Sequence, residues 1–569
     1  MMDSGPNRPK TAFREGMLVF LAALFCVGLH QTQPGLVERE DGSRSFGLKA
    51  RSLPLGDSPY NIRLAYLYRT GDVAEAGREF HWMSSSIWAH NFCDKEFLYH
   101  LYLAPFTLGA RNIKDTGALI WGAKIATSLM FALLALTLWA VLRGFGVRHA
   151  WCYVPLIVLL GGIVFCHRAE ETRAWPLGVI CSLTAWLMMA RNRRLALLLV
   201  AAIFTLGYSA VHFLIMLWFV RAALALLLRP QTNSSRRAEF KQHLWLLGAI
   251  LAGIALGVLL HPGRRDFANM WVVTYLLVPA GTLQGAAQST VFELFAMLNI
   301  SHGYTREEAQ RLQLGTEFLP RSGANLILAG GAAMFAPLAL ALASAWRRHK
   351  PSRETMFALG AAMLTLAMFI NSARFAEIMG PFMALACGLW MNDLLTSPRV
   401  RKQAAARPVL FSRLGLAART GMLVVFAVMW TYVLADAEVP MPRPWRDAAL
   451  WLRDNPQARG KVLFHSRWDV FPDFIFYAPN CDYIVGMDPN YLLAHDVGKS
   501  RLYWDIFEDK VDSTTVDRIR REFGASFILV MPPHTPGLDR ECRRQEELGK
   551  LRLAYVDPNF MVVIYQVVE

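Results

Sequence analysis

The chain has 569 residues, of which 54% are hydrophobic and 18% carry a charge, and its formal net charge is +15. Because ordinary soluble domains are about 25% charged, this composition excludes a typical soluble protein and favours an integral membrane protein. The basic residues lie mostly in short linkers between apolar runs and are not interleaved with aromatic side chains. We therefore expect no nucleic-acid partner.

Apolar runs long enough to cross a bilayer, which takes roughly 17–25 residues, recur along most of the chain. We predict about eleven spans, at 17–31, 117–142, 150–166, 175–190, 195–207, 209–228, 243–261, 323–346, 355–371, 379–395 and 420–436. The run 195–207 is short and only Tyr208 separates it from the next, so it is either a span or one half of a bent hairpin. The first run lacks a small-x-small cleavage site, which favours an uncleaved signal anchor.

The distribution of arginine and lysine predicts the orientation of these spans. Most of these residues lie in linkers that would share one side, whereas the short linkers of the other side contain only Arg168, Arg173 and Arg374. The positive-inside rule then places the N-terminus in the cytosol. The long segments predicted to lie outside are 32–116, 262–322 and 437–569.

The first of these segments is too long for a simple connector. Its stretches NIRLAYLYRTG and EAGREFHWMSSSIW have apolar residues at helical spacing. This pattern predicts helices lying at the membrane surface. A long ordered loop of this kind is usually functional.

The composition changes near residue 437. After it, WRDAALWLRDNP and 514–523 predict helices, whereas VLFH, FILVM and the pair LRLAYV/MVVIYQV predict strands. We predict a membrane domain, 1–436, with the long outer loop 32–116, and a soluble α/β domain, 437–569, outside the membrane. The fold class is mostly α, a polytopic helical bundle with a C-terminal α/β domain.

Two acidic sites lie beside spans on the same predicted side, Asp57 in GDSPYNIRLAYLY and Glu170-Glu171 in HRAEETRAW. A carboxylate costs about 2.5–3.5 kcal/mol at the centre of a membrane helix, so acids at a span mouth suggest a site for a cation, a proton or a phosphate-linked substrate. The structural alternative for Asp57 is a helix N-cap before Ser-Pro. For the two glutamates it is a solvated turn balanced by Arg168 and Arg173.

Two further candidates lie in FCDKEFLYHLYLAPF, namely Asp94 and His100. Either side chain could contact a substrate. The alternatives are that Asp94 caps the stretch that follows it and that His100 is a structural histidine, which is the commoner role on an apolar helix face.

The motifs resemble the GT-C superfamily of membrane glycosyltransferases and, within it, the catalytic subunit of oligosaccharyltransferase. Asp57, Tyr60 and Arg63 resemble the first acidic motif of that family, in which an aromatic residue and an Arg-bearing helix follow an Asp. The pair Glu170-Glu171 stands where the second acidic motif is expected, although it lacks the intervening residue of a D-x-D or E-x-D pattern.

Three later motifs extend the resemblance over nearly the whole chain. Glu317, in LGTEFLP, resembles the end of a short outer-loop motif, and Arg374, in ARFAEIMGPF, matches an arginine that faces the donor phosphate. Trp468 and Asp469, in SRWDVFP, resemble part of a Trp-Trp-Asp-Tyr-Gly acceptor motif, with Val-Phe-Pro in place of Tyr-Gly. A similar block in uncharacterised bacterial membrane proteins implies the bacterial inner (plasma) membrane.

The resemblance implies a hexosyl- or pentosyltransferase that moves a sugar from a polyprenyl-phosphate donor to a glycan, lipid or protein acceptor on the outer face of the membrane. It implies Asp57, Glu170 and Glu171 as catalytic residues. The substrate-binding residues it implies or leaves as candidates are Arg374, Glu317, Trp468, Asp469, Asp94 and His100. A divalent cation, Mg²⁺ or Mn²⁺, is a candidate cofactor with Asp57 and Glu171 as ligands, although other GT-C enzymes work without one.

Other functions stay open, namely an oligosaccharyltransferase acting on protein, a transporter, or a non-catalytic scaffold of the cell envelope. A transporter would more typically show paired repeats and spans broken near mid-bilayer, which this sequence lacks. A glycosyltransferase requires Asp57, one of the two glutamates and Arg374 to converge on one cavity that opens sideways to lipid.

Overall fold

The computed structural model describes residues 8–38, 44–54, 56–73, 79–228, 236–271, 351–371, 373–410 and 444–568, with scattered positions within 336–343 and 412–427. The chain forms two compact units, each of which combines segments distant in sequence. The first unit comprises Met1–Arg51, Lys124–Leu260 and Gly315–Val439. The second comprises Ser52–Ala123, His261–Leu314 and Pro440–Glu569.

The described residues before 410 are mostly helical. The helices are α1 (Arg8–Gln31), α2 (Ser58–Thr70), α3 (Phe97–Leu103), α4 (Thr116–Gly144), α5 (Leu156–Arg168), α6 (Trp175–Ala190), α7 (Arg194–Gly207), α8 (Phe213–Leu227), α9 (Arg236–Leu260), α10 (Phe267–Trp271), α11 (Arg353–Asn371), α12 (Ala376–Thr396) and α13 (Pro398–Ala406). An antiparallel hairpin of β1 (Thr32–Glu38) and β2 (Arg44–Ala50) follows α1.

Among the described residues, five helices are long and apolar enough to cross a membrane, namely α1, α4, α9, α11 and α12. They coincide with the predicted spans 17–31, 117–142, 243–261, 355–371 and 379–395. The shorter apolar helices α5 to α8 coincide with the predicted spans 150–166, 175–190, 195–207 and 209–228. The spans predicted at 323–346 and 420–436 lie outside the described residues apart from scattered positions, so the total of about eleven stays a prediction.

Helices α5 and α12 pack closely through glycines. Gly162 has a φ of 70° and interrupts the helical backbone of α5, a conformation that glycine adopts at little cost. A Cβ on Gly380 of α12 would lie 2.8 Å from the carbonyl O of Ile157 and 2.9 Å from Cα of Gly161. The missing side chain therefore lets the two backbones approach, as is common between helices in membranes.

The second unit contains a five-stranded sheet with strand order β4-β3-β5-β7-β6. Its strands are β3 (Val462–His465), β4 (Asp482–Tyr483), β5 (Phe527–Val530), β6 (Leu551–Val556) and β7 (Val563–Val567). β3 is parallel to β4 and β5, whereas β7 is antiparallel to β5 and β6. The predicted strands at VLFH and FILVM and the C-terminal hairpin are confirmed.

Helices flank this sheet and complete its core. They are Pro444–Asp454, Phe471–Tyr477, Asn490–His495, Val497–Phe507, Thr515–Phe523 and Pro536–Glu547. The core residues Phe464, Ile528 and Tyr565 are buried between helices and sheet. The predicted helix at 514–523 is therefore confirmed, and residues 444–568 form an α/β fold.

The segment 79–91 of the first long loop adds to the edge of this sheet. The amide of Ser84 donates to the carbonyl of Tyr483 at 2.8 Å, and the amide of Tyr483 donates to the carbonyl of Trp82 at 3.0 Å. The helix predicted in EAGREFHWMSSSIW is wrong for 79–86, because this backbone pairs with the β4 region. The short 3-10 turn Ile87–Ala89 follows.

The helix predicted in NIRLAYLYRTG is confirmed as α2. All its residues from Ser58 to Leu67 are buried, because it packs against α3 and against the helix Phe471–Tyr477. It is thus an internal element of the second unit. A helix lying at a membrane surface, as the sequence predicted, would instead have one exposed face.

Candidate active site

Asp57 stands at the N-terminus of α2. It follows Gly56, whose φ of 98° is in the left-handed region that favours glycine. The carboxylate of Asp57 makes no capping hydrogen bond, and it is the carbonyl of Asp57 that accepts from the amide of Asn61 at 2.9 Å. Asp57 therefore occupies the N-cap position that the structural alternative expected, although its partly buried side chain makes no capping hydrogen bond there.

Asp94 and His100 contact each other in the second unit. His100 Nδ1 lies 2.7 Å from Asp94 Oδ2, and His100 Nε2 lies 3.1 Å from the side-chain oxygen of Asn61. Burial opposes ionisation of Asp94, but the charge and hydrogen bond of His100 and the amide of Glu96 outweigh it and lower the pKa of Asp94. Both residues are almost fully buried, so the structural alternative for His100 describes its surroundings well.

Asp94 also faces a small cavity of about 210 Å³. The cavity is lined by Tyr68, Val73, Phe92, Asp94, Phe97, His261, Pro262 and Gly263. The Tyr68 hydroxyl donates to Asp94 Oδ2 at 3.0 Å. Polar atoms and aromatic rings thus share one cavity, a combination that can hold a hydroxylated ring.

Glu170 lies in the loop between α5 and α6, within the first unit. Its Oε1 lies 2.6 Å from His30 Nε2 and 3.8 Å from His167 Nδ1. Burial opposes ionisation of Glu170, but the neighbouring imidazoles of His167 and His30 outweigh it and lower its pKa to about 2. Glu170 is therefore a carboxylate held in place at neutral pH, and a solvated turn does not describe it.

Glu171 is held by two guanidinium groups. Its Oε2 lies 3.5 Å from Arg168 Nη1 and 3.0 Å from Arg173 Nε. Arg168 is also paired with Glu377, which is buried at the start of α12. The expected balance of charge by Arg168 and Arg173 is confirmed, and the turn is an ion-pair cluster.

The sequence reasoning missed His30 and Glu377 as members of this cluster. The available signal was Glu377 in the apolar run ARFAEIMGPF, since an ionisable residue within a membrane span usually pairs with another polar group. Arg374 lies in the short turn Ala373–Phe375 directly before α12 and is half-buried. Arg374 and Arg173 both act electrostatically on Glu377, which places them near it.

An apolar groove lies beside this cluster in the first unit. It has a volume of about 530 Å³ and is formed by α1, α4 and the stretch from Trp151 to Ala169. Its walls include Val27, Phe131 and Phe165, and they also include Ala169, the residue directly before Glu170. Glu15 also lines it and is paired with Arg143 at 2.9 Å.

Trp468 and Asp469 lie in a short turn, Trp468–Val470, that follows the carboxyl end of β3. Trp468 is half-buried and packs against the core of the sheet domain. Asp469 caps no helix and instead accepts from Arg467 Nε at 2.9 Å and Nη2 at 2.6 Å. The exposed side chain of Asp469 remains accessible to a ligand.

Glu317 lies outside the described residues. In the part of the chain that the structure describes, no group of three or more His, Cys, Asp and Glu side chains is arranged to hold a metal ion. The convergence of Asp57, Glu170 or Glu171 and Arg374 on one cavity stays a prediction.

No protein-family model and no curated protein matches the chain. Several solved structures, however, are similar to it. The archaeal oligosaccharyltransferase AglB from Archaeoglobus fulgidus, in complex with an inhibitory peptide and a dolichol-phosphate, aligns with a TM-score of 0.59 at 14% identity, over 97% of this chain and 74% of that chain. The chain therefore shares the fold of this GT-C structure.

A second GT-C structure agrees. ArnT from Cupriavidus metallidurans bound to undecaprenyl phosphate aligns with a TM-score of 0.50 at 13% identity, over 99% of this chain and 98% of that chain. ArnT in the apo state gives 0.51, also at 13% identity, over 96% and 97% of the two chains. The resemblance that the sequence motifs predicted is thus confirmed for the fold, including a mostly helical part and a C-terminal sheet domain.

Proposed function

We propose that the protein transfers a sugar from a polyprenyl-phosphate-linked donor to an acceptor on the outer face of a membrane. The observation that carries this proposal is the apolar groove whose lining includes Ala169, which lies within the charged segment 168–173. A polyprenyl-phosphate sugar is a long apolar chain attached to an anion, so its site requires apolar walls that lead to charged groups. The dolichol-phosphate and undecaprenyl phosphate in the AglB and ArnT structures support this class of donor.

In this reaction the bond from the anomeric carbon to the phosphate oxygen breaks while a bond to the acceptor oxygen forms. Negative charge develops on the leaving phosphate, and Arg374 is the cation proposed to stabilise it. Asp57 is proposed to accept the proton of the acceptor hydroxyl, a step that contributes about 10²–10⁴-fold to a rate.

Glu170 and Glu171 are proposed to complete the catalytic set. Their carboxylates are held by His30 and by Arg168 and Arg173, so they can orient hydroxyl groups of a sugar without moving. This fixed geometry is what a positioning role in transfer requires.

Trp468 and Asp469 are proposed to bind the acceptor. They follow the carboxyl end of β3, which has the parallel strand β4 on one side and the parallel strand β5 on the other. The chain thus changes direction across the sheet at β3, and ligands of α/β sheets bind at such switch points. A Trp ring offers an apolar face to a sugar, and a carboxylate accepts hydrogen bonds from hydroxyls. The other proposed substrate-binding residues are Asp94, the His100 that contacts its carboxylate, and Glu317.

A divalent cation fits the described residues less well. Glu171 is already balanced by two guanidinium groups, which compete with Mg²⁺ or Mn²⁺ for its oxygens. Transfer that survives a chelator would agree with this view, whereas loss of transfer that Mg²⁺ or Mn²⁺ restores would contradict it.

The test is transfer by the purified full-length protein in liposomes that contain polyprenyl-phosphate sugars and envelope glycans or lipids. Asp57→Asn should keep the fold and lose most of the activity, whereas the control Asp72→Asn, an exposed acid of the same loop, should keep it. Mass spectrometry of envelope glycans with and without the gene identifies the product. Near wild-type turnover of Asp57→Asn would contradict the assignment of the base.

An oligosaccharyltransferase reaction is the second candidate, favoured by the TM-score of 0.59 to AglB. An acceptor peptide containing Asn-x-Thr, offered beside glycan and lipid acceptors, separates the two reactions. Binding of the donor without transfer to any acceptor would instead indicate transport. Labelling of an engineered cysteine in residues 444–568 from outside intact cells tests the proposed extracytoplasmic position of the sheet domain in an inner (plasma) membrane.

A further inference from the structure

Arg63 is a fully buried cation in the second unit. Among the described residues its Nη1 has no hydrogen-bond partner, and its charge contacts the rings of Tyr66 and Phe476 at 5.3 and 5.2 Å from the guanidinium carbon. Burial lowers the pKa of Arg63 to about 10. Among the residues that the structure describes, Arg63 forms no ion pair, and burial of an unpaired charge is costly, so its position requires an explanation.

The hydrogen bonds of Arg63 join two helices that are distant in sequence. Its Nε donates to the carbonyl of Phe476 at 3.1 Å, and its Nη2 donates to the same oxygen. Phe476 lies in the last turn of the helix Phe471–Tyr477, where carbonyl groups lack partners within the helix. Arg63 therefore satisfies a helix end and attaches α2 to it.

The contacts between these two helices advance in the same direction along both. The rings of Tyr60 and Phe471 are 6.2 Å apart, and Arg63 contacts Phe476 further along both helices. Contacts that advance in the same direction on both helices place their N-termini at the same end. Asp57 directly precedes α2 and the turn Trp468–Val470 directly precedes the helix Phe471–Tyr477, so both lie at that end.

We propose that Arg63 is a positioning residue that holds α2 against the helix Phe471–Tyr477 and thereby fixes Asp57 relative to Trp468 and Asp469. This inference rests on the proposed function, in which Asp57 is the base and Trp468 and Asp469 bind the acceptor. A displacement of about 1 Å in a reacting group can cost about 10²-fold in rate. A looser contact at Arg63 should therefore slow transfer although Arg63 touches no substrate.

The test compares Arg63→Met and Arg63→Lys in the full-length protein in liposomes. Methionine keeps an unbranched apolar stem and loses every donor, so kcat should fall about tenfold or more while KM for the donor changes less than about twofold. Lysine can still donate to the carbonyl of Phe476 and should recover part of the lost kcat.

Arg69→Met is the matched control. Arg69 lies on the same helix, but its hydrogen bonds go to Thr107 Oγ1 and to the carbonyl of Ala110, both at 2.9 Å and both within the first long loop. This variant should keep a kcat within about twofold of wild type. Equal losses in Arg63→Met and Arg69→Met would overturn the proposal, as would a lysine variant no better than methionine.

Hydrogen exchange of the α2 amides supplies a readout that does not depend on activity. Amides 61–64 should exchange faster in Arg63→Met than in wild type and Arg69→Met, since opening of a local contact raises exchange. Wild-type exchange in Arg63→Met overturns the proposal. If the wild type transfers no sugar, the proposed function fails, but hydrogen exchange still shows whether Arg63 holds α2 in place. If Arg63→Met does not fold, the kcat and the hydrogen exchange of Arg63→Lys test the proposal instead.

Discussion

Replacing Glu170 with glutamine removes one negative charge beside the groove and changes the shape of the side chain very little. In the wild type, burial opposes the charge of Glu170, but the neighbouring imidazoles of His167 and His30 lower its pKa from 4.5 to about 2. Each tenfold change in an acid constant corresponds to about 1.4 kcal/mol, so the charged form stabilises the fold by about 3 kcal/mol at neutral pH. Its side chain is 17% exposed, so solvent screening removes only a small part of this.

The sign follows from the lowered pKa. The stabilisation is complete above pH 4.5 and is lost as the pH falls from 4.5 towards about 2. Glu170→Gln should therefore be less stable than wild type by about 2–3 kcal/mol at pH 7, and this difference should shrink by about 2 kcal/mol at pH 3.

The assay is thermal unfolding of the full-length protein in detergent at pH 7 and pH 3, with Asp72→Asn as the exposed control. Wild-type stability of Glu170→Gln at pH 7 would refute the reasoning, because the hydrogen bonds of Glu170 would then contribute nothing to the fold. A difference that stays constant down to pH 3 would refute the assignment of the effect to ionisation of Glu170.

Three further outcomes are expected. Arg374→Lys and Arg374→Ala should both raise KM for the donor, because lysine lacks the planar fork that matches phosphate oxygens, and unchanged donor affinity in both would contradict the role of Arg374. Asp469→Asn should lower transfer and change the melting temperature little, since exposed pairs such as Asp469 with Arg467 contribute about 0.2–1 kcal/mol; a large loss of stability would instead assign Asp469 a structural role. Gly380→Ala should destabilise the first unit by about 1–3 kcal/mol in a thermal melt, because its Cβ would lie under 3.0 Å from α5 backbone, and a melt equal to that of a Gly248→Ala control would show that α12 can shift.

The local sequence pattern was sufficient to predict most of the helices and strands. The predicted run 175–190 is the helix α6, and VLFH and FILVM are the neighbouring parallel strands β3 and β5. Apolar runs and clusters of β-branched residues indicate that a segment is buried. A buried backbone must pair its own polar groups, in a membrane as in a protein core, so such a segment forms a helix or a paired strand. The order of acidic and basic motifs was likewise sufficient for the resemblance to the GT-C fold.

Local pattern failed where a segment's partner is distant in the chain. The stretch EAGREFHWMSSSIW has helical spacing, yet residues 82–85 pair with the edge of a sheet about 400 positions later. Tertiary hydrogen bonds override a weak local preference, because each buried backbone group must find a partner wherever one is available.

The chemistry of the candidate site divides in the same way. Composition and motif order alone determined that acids and arginines stand beside membrane spans, because dehydrating a charge is costly enough to make such residues rare and conspicuous. Only the tertiary structure decided that His30 holds Glu170, that Glu377 pairs with Arg168, and that Arg63 joins α2 to the sheet domain. These partners are 140, 209 and 413 positions apart, and no spacing rule relates residues whose contact depends on how whole helices pack.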